Sequence, residues 1–332
     1  MAQRPRHLLA LLLLLGWLLV PATARAAPAI TVTPASPAAG APFTVTGSGY
    51  PANAVLHLFV ADAAGNPLTA PVGATVGADG SFAVSLTAPA GTPAGQYALV
   101  IRRVGVAPAP QAAAPGGALT IPVLEYHDVG YGQGTYQVTL AAFRQQLDWL
   151  QAHGYTTVTL PQVYAALLAG GPLPAKPVVL TFDDGRASQW DAVQELNARG
   201  MTGVFFVQGG GVELSAAQLR QIAAWGHEIE AHSMTHADLT RLSDAQLRYE
   251  VAGAKQALEE QLGLPIRYFA YPYGAYDARV IAAVAAAGYQ GGLAAWGGAS
   301  WTAERRWEQP RIIVSGYATL DDFAALVTSA TP

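Results

Sequence analysis

The stretch that decides the fold is Val178-Val179-Leu180-Thr181-Phe182-Asp183-Asp184-Gly185. A short apolar run with a glycine turn after it is typical of a buried strand. Two adjacent carboxylates stand just before that glycine, at the end of the strand where α/β enzymes place their catalytic groups. Because neighbouring carboxylates repel each other, we expect separate roles, with one bound to a cation and the other acting as a base.

Two histidines further along the chain supply partners for such a cation. His232 and His236 stand four residues apart in His-Ser-Met-Thr-His, a spacing that brings both imidazoles to one side of a helical turn or tight loop. With Asp184 they would make a site of three ligands and one open position. Imidazoles and a carboxylate suit Zn²⁺ or a similar divalent ion, and the open position suits water or a substrate oxygen. The sequence therefore predicts a catalytic metal site.

The composition fits a globular protein of two domains. The chain has 332 residues, of which 52% are hydrophobic and 12% charged, enough apolar material for packed cores. The formal net charge is −4, or −7 without the three arginines of residues 1–26, and there are only two lysines. No basic stripe indicates a nucleic-acid partner.

Residues 1–26 have the pattern of a cleaved export signal. Arg4 and Arg6 precede an apolar run from Leu8 to Val20, and Ala24-Arg25-Ala26 follows. An uncleaved membrane anchor is the alternative, but the run is shorter than the roughly 20 residues that span a bilayer. The chain has no cysteine, which excludes lipoprotein attachment and disulfides. We expect a protein that is secreted or held at the cell surface.

Residues 27–106 predict a small all-β domain. Short alternating runs such as Phe43-Thr44-Val45-Thr46 are separated by turn-rich pieces such as Gly47-Ser48-Gly49. This pattern resembles the immunoglobulin-like β-sandwich domains of exported bacterial proteins. We expect a spacer or a binding module that contacts the cell surface or a glycan. Residues 107–119, rich in proline, alanine and glycine, predict an extended linker.

Residues 120–332 predict an α/β catalytic domain. The apolar strand candidates are Ile121 to Tyr126, Thr156 to Leu160, Pro177 to Phe182, Gly203 to Val207, Glu228 to His232, Tyr268 to Tyr271 and Arg311 to Val314. They alternate with helical stretches. One begins with a capping box at Ser243 and Gln246 and ends at Gly263, and another runs from Thr139 to Gly154. This alternation predicts a parallel sheet, most simply a distorted (β/α) barrel of about seven strands. An open doubly wound sheet is the alternative.

Three ordered motifs carry a resemblance to a known family. Thr-Phe-Asp-Asp-Gly, His-Ser-Met-Thr-His and Phe269-Ala270-Tyr271-Pro272-Tyr273-Gly274 resemble those of the polysaccharide deacetylase family, carbohydrate esterase family 4. The resemblance covers the chain from about Pro122 to the C-terminus. The third motif and Glu125-Tyr126-His127-Asp128 look most like the poly-β-1,6-N-acetylglucosamine deacetylase branch.

The resemblance implies a role for each motif residue. Asp183 would be the general base that takes a proton from the attacking water. Asp184, His232 and His236 would hold the metal, which would be Zn²⁺ or another divalent ion such as Co²⁺, Ni²⁺ or Fe²⁺. The backbone N–H at Tyr273 would help to stabilise the oxyanion.

The general acid departs from the pattern of much of the family. That pattern has a late histidine, whereas no histidine follows His236 in this chain. His127 ends the first predicted barrel strand and should face the same mouth as Asp183, so we assign it as the acid. A capping or packing role for His127 is the alternative.

The arginine that orients the base in many family members also departs from its usual place, which Ala270 occupies here. Arg267 and Arg311 are the candidates to orient Asp183. Arg311 ranks higher because it begins a late strand. Trp296, Trp301 and Trp307 lie in a glycine-rich segment, where they would either stack on a sugar ring or belong to the core.

Two hypotheses follow from these residues. The first is an exported metal-dependent deacetylase that hydrolyses the N-acetyl groups of a surface or extracellular polysaccharide, with poly-N-acetylglucosamine favoured, to free amine and acetate. O-acetyl xylan and peptidoglycan are alternative substrates. The second is a non-catalytic glycan-binding surface protein.

Overall fold

The computed structural model describes residues 28–35, 37–50, 54–62, 68–69, 72–88, 97–106, 111–112, 117–130 and 132–331. The predicted export signal and most of the predicted linker lie outside these described residues. Within the described ranges, no helix combines the length and the apolar character needed to cross a membrane. The chain divides into two compact units, with the main division between residues 108 and 109.

The N-terminal unit contains two three-stranded antiparallel sheets. Its described strands are β1 (Ala29–Thr33), β2 (Pro42–Ser48), β3 (Ala54–Asp62), β4 (Val72–Thr75), β5 (Phe82–Thr87) and β6 (Tyr97–Val106). The strand orders are β1-β2-β5 and β4-β3-β6. Alternate side chains from both sheets, among them Val45, Val84, Leu56 and Leu58, form one hydrophobic cluster. The immunoglobulin-like classification and the domain boundaries stay predictions.

The C-terminal unit alternates strands and helices. Its described strands are β7 (Gln111–Ala112), β8 (Leu119–Thr120), β9 (Val123–Tyr126), β10 (Asp128–Gly130), β11 (Gln137–Thr139), β12 (Thr156–Thr157), β13 (Pro172–Leu173), β14 (Pro177–Asp183), β15 (Val204–Val207), β16 (Glu228–Ala231), β17 (Tyr268–Ala270), β18 (Gly291–Leu293), β19 (Ser300–Trp301) and β20 (Ile312–Ile313). Its α-helices are α1 (Leu140–Ala152), α2 (Leu160–Ala169), α3 (Gln189–Arg199), α4 (Ala216–Ala224), α5 (Asp244–Arg248), α6 (Ala254–Leu262), α7 (Ala278–Ala286) and α8 (Leu320–Ser329). Short 3-10 turns cover Leu239–Arg241 and Pro272–Gly274, and a π-helical turn covers Tyr249–Gly253.

The central sheet has seven parallel strands in the order β18-β17-β16-β15-β14-β9-β20. Successive strands are added in one direction from β9 to β18, and β20 returns to the free edge of β9. An isolated backbone bridge joins Leu293 of β18 to Gln309, which precedes β20. A doubly wound sheet would reverse direction at a switch point, so that alternative is wrong. The sheet is a curled half-barrel, consistent with the predicted distorted (β/α) barrel.

One member of the predicted strand set is wrong. Residues 156–160 give only the two-residue strand β12, which pairs with β14 beside the main path. The reason is that Thr159 caps α2 in a capping box with Gln162, so the chain turns into a helix. The seventh strand is instead β18, which begins Gly291-Gly292. A side chain at Gly291 would overlap the Tyr164 ring, which explains why this strand has so little apolar signal.

The alternation of side chains along β14 points Asp183 into the barrel. All seven residues of this strand are buried. Val178, Leu180 and Phe182 belong to the cluster formed with the helices, whereas Val179 packs with side chains from neighbouring strands. Asp183 is four residues after Val179, so its side chain points to the same face of the strand, toward the barrel interior.

The two predicted helices form with one difference. The capping box of Ser243 with Gln246 starts α5, and Gly263 ends α6 in the left-handed conformation. Between them the helix widens into the π turn Tyr249–Gly253. The other predicted helix is α1, capped by Thr139.

Candidate active site

The predicted site residues meet at one end of the barrel. His127, Asp184 and His232 directly follow β9, β14 and β16, and the 3-10 turn with Tyr273 follows β17. Because these strands are parallel members of one sheet, their carboxyl ends form one mouth. Arg311 differs, since it precedes β20 and its side chain approaches from inside the barrel.

Asp184, His232 and His236 form a candidate metal centre. Asp184 Oδ1 lies 3.7 Å from His232 Nε2 and 3.4 Å from His236 Nε2. Tetrahedral coordination with bonds of about 2.0–2.1 Å places ligand atoms roughly 3.4 Å apart. Asp184 Oδ1 is buried and accepts no hydrogen bond within the described residues, while Arg186 lies 3.3 Å from the other oxygen, Oδ2. One carboxylate oxygen is thus available for a metal, and these three residues fit one.

The environment of His232 prepares it as a ligand. Its Nδ1 lies 2.9 Å from the carbonyl oxygen of Ala270, which assigns the proton to Nδ1 and leaves the Nε2 lone pair facing Asp184. Burial lowers the pKa of His232 to about 4, although the nearby Asp183 charge opposes this shift. A neutral imidazole oriented by a second hydrogen bond is the form that binds metals.

Arg311 holds Asp183 in a buried ion pair. Its Nη1 and Nη2 donate to Asp183 Oδ1 and Oδ2, each at 2.7 Å. Nη1 also donates to the hydroxyl of Thr181 at 3.1 Å, and Nε donates to the carbonyl of Ala294 at 2.9 Å. Burial alone would raise the pKa of Asp183, but the charge and hydrogen bonds of Arg311 hold it well below its usual value. Asp183 therefore stays ionised.

Glu125 is a second carboxyl group on the same arginine. Its Oε2 lies 3.1 Å from Arg311 Nε but receives no hydrogen bond within the described residues. Burial raises the pKa of Glu125 to about 8, against the opposing effect of Arg311. Glu125, His127 and Asp183 are close enough to be metal ligands, but Arg311 occupies both oxygens of Asp183 and would repel a second cation there.

His127 lies beside Asp183. Its Nε2 is 3.6 Å from Glu125 Oε1, and a ring nitrogen lies within 4.8 Å of a carboxylate oxygen of Asp183. Its ring contacts Tyr136, with ring centroids 4.8 Å apart. Burial lowers the pKa of His127, although Asp183 and Asp184 oppose this shift. The imidazole is thus biased toward the neutral form.

Gln189 joins the two strand ends and was missed by sequence reasoning. This buried side chain donates from Nε2 to the carbonyl oxygens of His127 and Asp183. It therefore fixes the end of β9 against the end of β14. The only sequence signal is its place at the start of the helix that follows the Asp-Asp-Gly turn.

The backbone of the site is strained. Among the described residues, the non-glycine residues with positive φ are Asp184 (80°), Ser233 (62°), His236 (64°) and Tyr273 (59°). All four belong to the three motifs. This conformation is unfavourable for residues with a side chain and is retained mainly at functional sites.

The remaining candidates from the sequence, Arg267 and three tryptophans, lie in different environments. Arg267 precedes β17 and so lies at the opposite end of the barrel from the mouth; it does not contact Asp183. Trp301 is buried and donates to the carbonyl of Pro310, so it belongs to the core. Trp307 is partly buried against the core, whereas Trp296 is 58% exposed.

Comparison with known proteins agrees with this geometry. The family model described as polysaccharide deacetylase matches residues 170–292. The YxkH protein of Bacillus subtilis is 28% identical over 215 residues, which cover 63% of this chain and 76% of that protein. A chitooligosaccharide deacetylase of Sinorhizobium fredii is 31% identical over 174 residues, 51% of this chain and 70% of that protein. The poly-β-1,6-N-acetyl-D-glucosamine N-deacetylase of Escherichia coli is 40% identical over 78 residues, 20% of this chain but only 12% of that protein.

Solved structures share the fold. A deacetylase from Streptococcus pyogenes, solved with acetate, superposes with a TM-score of 0.60 at 23% identity, covering 64% of this chain and 99% of that one. IcaB from Ammonifex degensii superposes with a TM-score of 0.56 at 26% identity, covering 66% of this chain and 99% of that one.

The strain at Tyr273 predicts a difference between two substitutions that both remove its ring. Tyr273→Gly should be more stable than Tyr273→Ala by about 1 kcal/mol, because glycine adopts positive φ without steric cost. Urea unfolding of the two metal-free variants measures this difference. Equal stability, or a more stable alanine variant, would show that the position is not strained.

The raised pKa of Glu125 predicts a pH-dependent stability. The unfolded chain releases the Glu125 proton near the ordinary glutamate pKa of about 4.3, whereas the folded protein keeps it up to about pH 8. This group therefore stabilises the fold fully at low pH, and its contribution is lost as the pH rises to about 8. Glu125→Gln imitates the protonated form and should become more stable, relative to wild type, as the pH increases.

Urea unfolding of metal-free wild type and Glu125→Gln at about pH 5.5 and about pH 8.5 measures this effect, because titrating groups distant from Glu125 cancel in the difference between the two proteins. An unchanged difference at the two pH values would mean that Glu125 is ionised in the folded protein.

Proposed function

Since the chain belongs to the polysaccharide deacetylase family and is a hydrolase, we propose that it removes N-acetyl groups from an acetylated polysaccharide, with poly-N-acetylglucosamine as the favoured substrate. The observation that carries this proposal is the division of labour in the Asp-Asp pair. Asp184 presents one oxygen toward two histidines, while Asp183 is held by Arg311 beside His127.

The metal site sets the reaction class. Asp184, His232 and His236 would hold a divalent ion, and Zn²⁺ suits a set of two nitrogens and one oxygen. Such an ion, when bound, supplies Lewis acidity that activates water and polarises an acetyl carbonyl. Hydrolysis of an amide by this route needs a base for the water and an acid for the departing amine.

Asp183 would be the base. The two hydrogen bonds from Arg311 fix its orientation, and they help to hold its pKa low and keep it ionised, so it is able to accept a proton near neutral pH. Because its pKa is low, Asp183 takes a proton readily only from a water whose own pKa has been lowered. Orientation is therefore the main contribution of this carboxylate.

His127 would be the acid, although its bias toward the neutral form requires a source for its proton. Hydrolysis moves one proton from the water to the amine nitrogen. A neutral His127 can serve if it first receives that proton, and its ring lies within 4.8 Å of Asp183. The mouth would then pass one proton from Asp183 to His127 and on to the amine, which becomes the product.

The mouth suits a sugar chain. Tyr273, Trp296 and Tyr317 are exposed and follow β17, β18 and β20, and the exposed Tyr136 contacts His127. These rings would offer flat apolar surfaces for sugar rings. The Escherichia coli relative acts on poly-β-1,6-N-acetyl-D-glucosamine. This likeness and the position of His127 support that polymer over acetyl xylan or peptidoglycan.

The pattern of residues 1–26 supports export, after which the enzyme would meet its substrate at the cell surface or outside the cell. The two sheets of the N-terminal unit would serve as a spacer or would contact the glycan. Secretion of a fusion that carries residues 1–26 would test the first part of this proposal.

Acetate release tests the function. Purified protein loaded with Zn²⁺ should release acetate from N-acetylglucosamine oligomers, fastest with β-1,6 linkages, and removal of the metal with a chelator should abolish the activity. The panel includes β-1,4-linked oligomers, acetyl xylan and peptidoglycan. Asp183→Asn is the control, because it keeps all three metal ligands. If metal-loaded wild type releases no more acetate than this variant on any substrate, the proposal fails.

The acid assignment has a separate outcome in the same assay. His127→Ala should lower kcat by about 10²- to 10⁴-fold, the usual contribution of general acid catalysis, while its metal content stays that of wild type. A variant with unchanged kcat would return His127 to a packing role.

A further inference from the structure

A buried glutamate outside the three motifs contacts the loop that carries the second histidine ligand. Glu250 lies in the π turn between α5 and α6 and is 5% exposed. Its Oε2 accepts hydrogen bonds from the backbone N–H groups of Met234 and Thr235, at 3.0 Å and 2.9 Å. Its Oε1 accepts a bond from the Thr235 hydroxyl at 2.6 Å. Three hydrogen bonds thus join one carboxylate to the residues directly before His236.

The loop needs such support because its backbone is strained. Ser233 and His236 both have positive φ, and the sequence between the histidines contains no glycine to relieve this conformation. An isolated loop would relax to a more favourable conformation and move His236 away from Asp184. Held strain of this kind requires contacts that overdetermine the backbone.

The opposite side of the loop is held by a second set of contacts. Gly209 N–H donates to the Ser233 carbonyl at 3.0 Å, and Gly210 N–H donates to the Met234 carbonyl at 2.8 Å. A side chain at Gly209 would meet the backbone of Ala254, and one at Gly210 would meet that of Met234. The carbonyl groups of this loop are therefore held by Gly209 and Gly210, and its N–H groups are held by Glu250.

Glu250 lies in an irregular part of its helix, the π turn Tyr249–Gly253. Single π turns inside α-helices are rare and occur frequently at functional sites. Val251, in the same turn, has its carbonyl bonded to the Tyr289 hydroxyl at 3.0 Å, so a group outside the helix supports this irregular backbone. A distortion with a dedicated partner, beside a strained ligand loop, is typical of a functional region.

From these contacts we propose that Glu250 is a positioning residue for the metal centre. Its carboxylate fixes the backbone of Met234 and Thr235, and so holds His236 at coordination distance from Asp184 and His232. The inference rests on the proposed metal site. Asp184 and His232 directly follow strands of the sheet, so loss of Glu250 should release His236 while the other two ligands stay in place.

Three substitutions distinguish the effect of side-chain length at position 250 from the effect of its charge. Glu250→Gln keeps the length and one acceptor oxygen for the two N–H groups. Glu250→Asp keeps the charge but is too short to bridge. Glu250→Ala leaves the buried N–H of Met234 and the part-buried N–H of Thr235 without this partner. Glu260→Ala is the matched control, because Glu260 lies on the adjoining helix α6 and its contact with Gln256 is exposed.

Zn²⁺ affinity, measured by competition with a chromophoric chelator, is the readout. Loss of a residue that orients a ligand costs about 10- to 100-fold in metal affinity, which we expect for Glu250→Ala and Glu250→Asp. Glu250→Gln and Glu260→Ala should stay within about threefold of wild type. With Co²⁺, the visible absorption spectrum should change in the alanine and aspartate variants, because His236 no longer binds.

The outcomes distinguish failure of the proposed function from failure of the inference about Glu250. If wild type binds no metal, the proposed function fails. If wild type binds metal and folded Glu250→Ala binds it equally well, with the same Co²⁺ spectrum, the inference is overturned. Should Glu250→Ala not fold, Glu250→Asp decides by the same criteria, and thermal unfolding of the metal-free proteins shows which variants are folded.

Discussion

The buried pair between Arg311 and Asp183 is the contact on which the rest of the site depends. Arg311 precedes the strand that closes the sheet beside β9, and it reaches Asp183 through the barrel interior with two hydrogen bonds of 2.7 Å. A buried charge is tolerated only with such a partner. The pair therefore links the last strand of the sheet to the strand that carries the Asp-Asp motif, and folding of the barrel positions the proposed base, Asp183.

The same pair decides how the other carboxyl groups behave. Arg311 offers its two Nη groups to Asp183, which leaves Asp184 free to face the histidines and leaves Glu125 without a hydrogen bond to its Oε2 within the described residues. Three carboxyl groups with different neighbours thus take three states. Asp183 is ionised and oriented, Asp184 has one oxygen available for a metal, and burial raises the pKa of Glu125 to about 8.

Much of the fold could be predicted from the sequence. Hydrophobic periodicity and helix-capping residues located most strands and helices. The Asp-Asp-Gly and His-x-x-x-His motifs identified residues that the barrel brings together. β18 could not be found in this way, because glycines that allow close approach by Tyr164 and Trp307 remove the apolar signal. Gln189 and Glu250 were missed for another reason. Their importance lies in hydrogen bonds to backbone groups distant in sequence, and the positive φ of Asp184 and His236 likewise arises from tertiary contacts.

We propose that the planar fork of Arg311, and not its charge alone, orients Asp183 as the base. Lysine keeps the charge but cannot make two parallel hydrogen bonds to a carboxylate. The direct measurement is kcat for acetate release by Arg311→Lys, together with its Zn²⁺ affinity and its thermal stability. We expect a folded protein with wild-type metal affinity and a kcat lowered by at least about 100-fold. A folded lysine variant with wild-type kcat would contradict it.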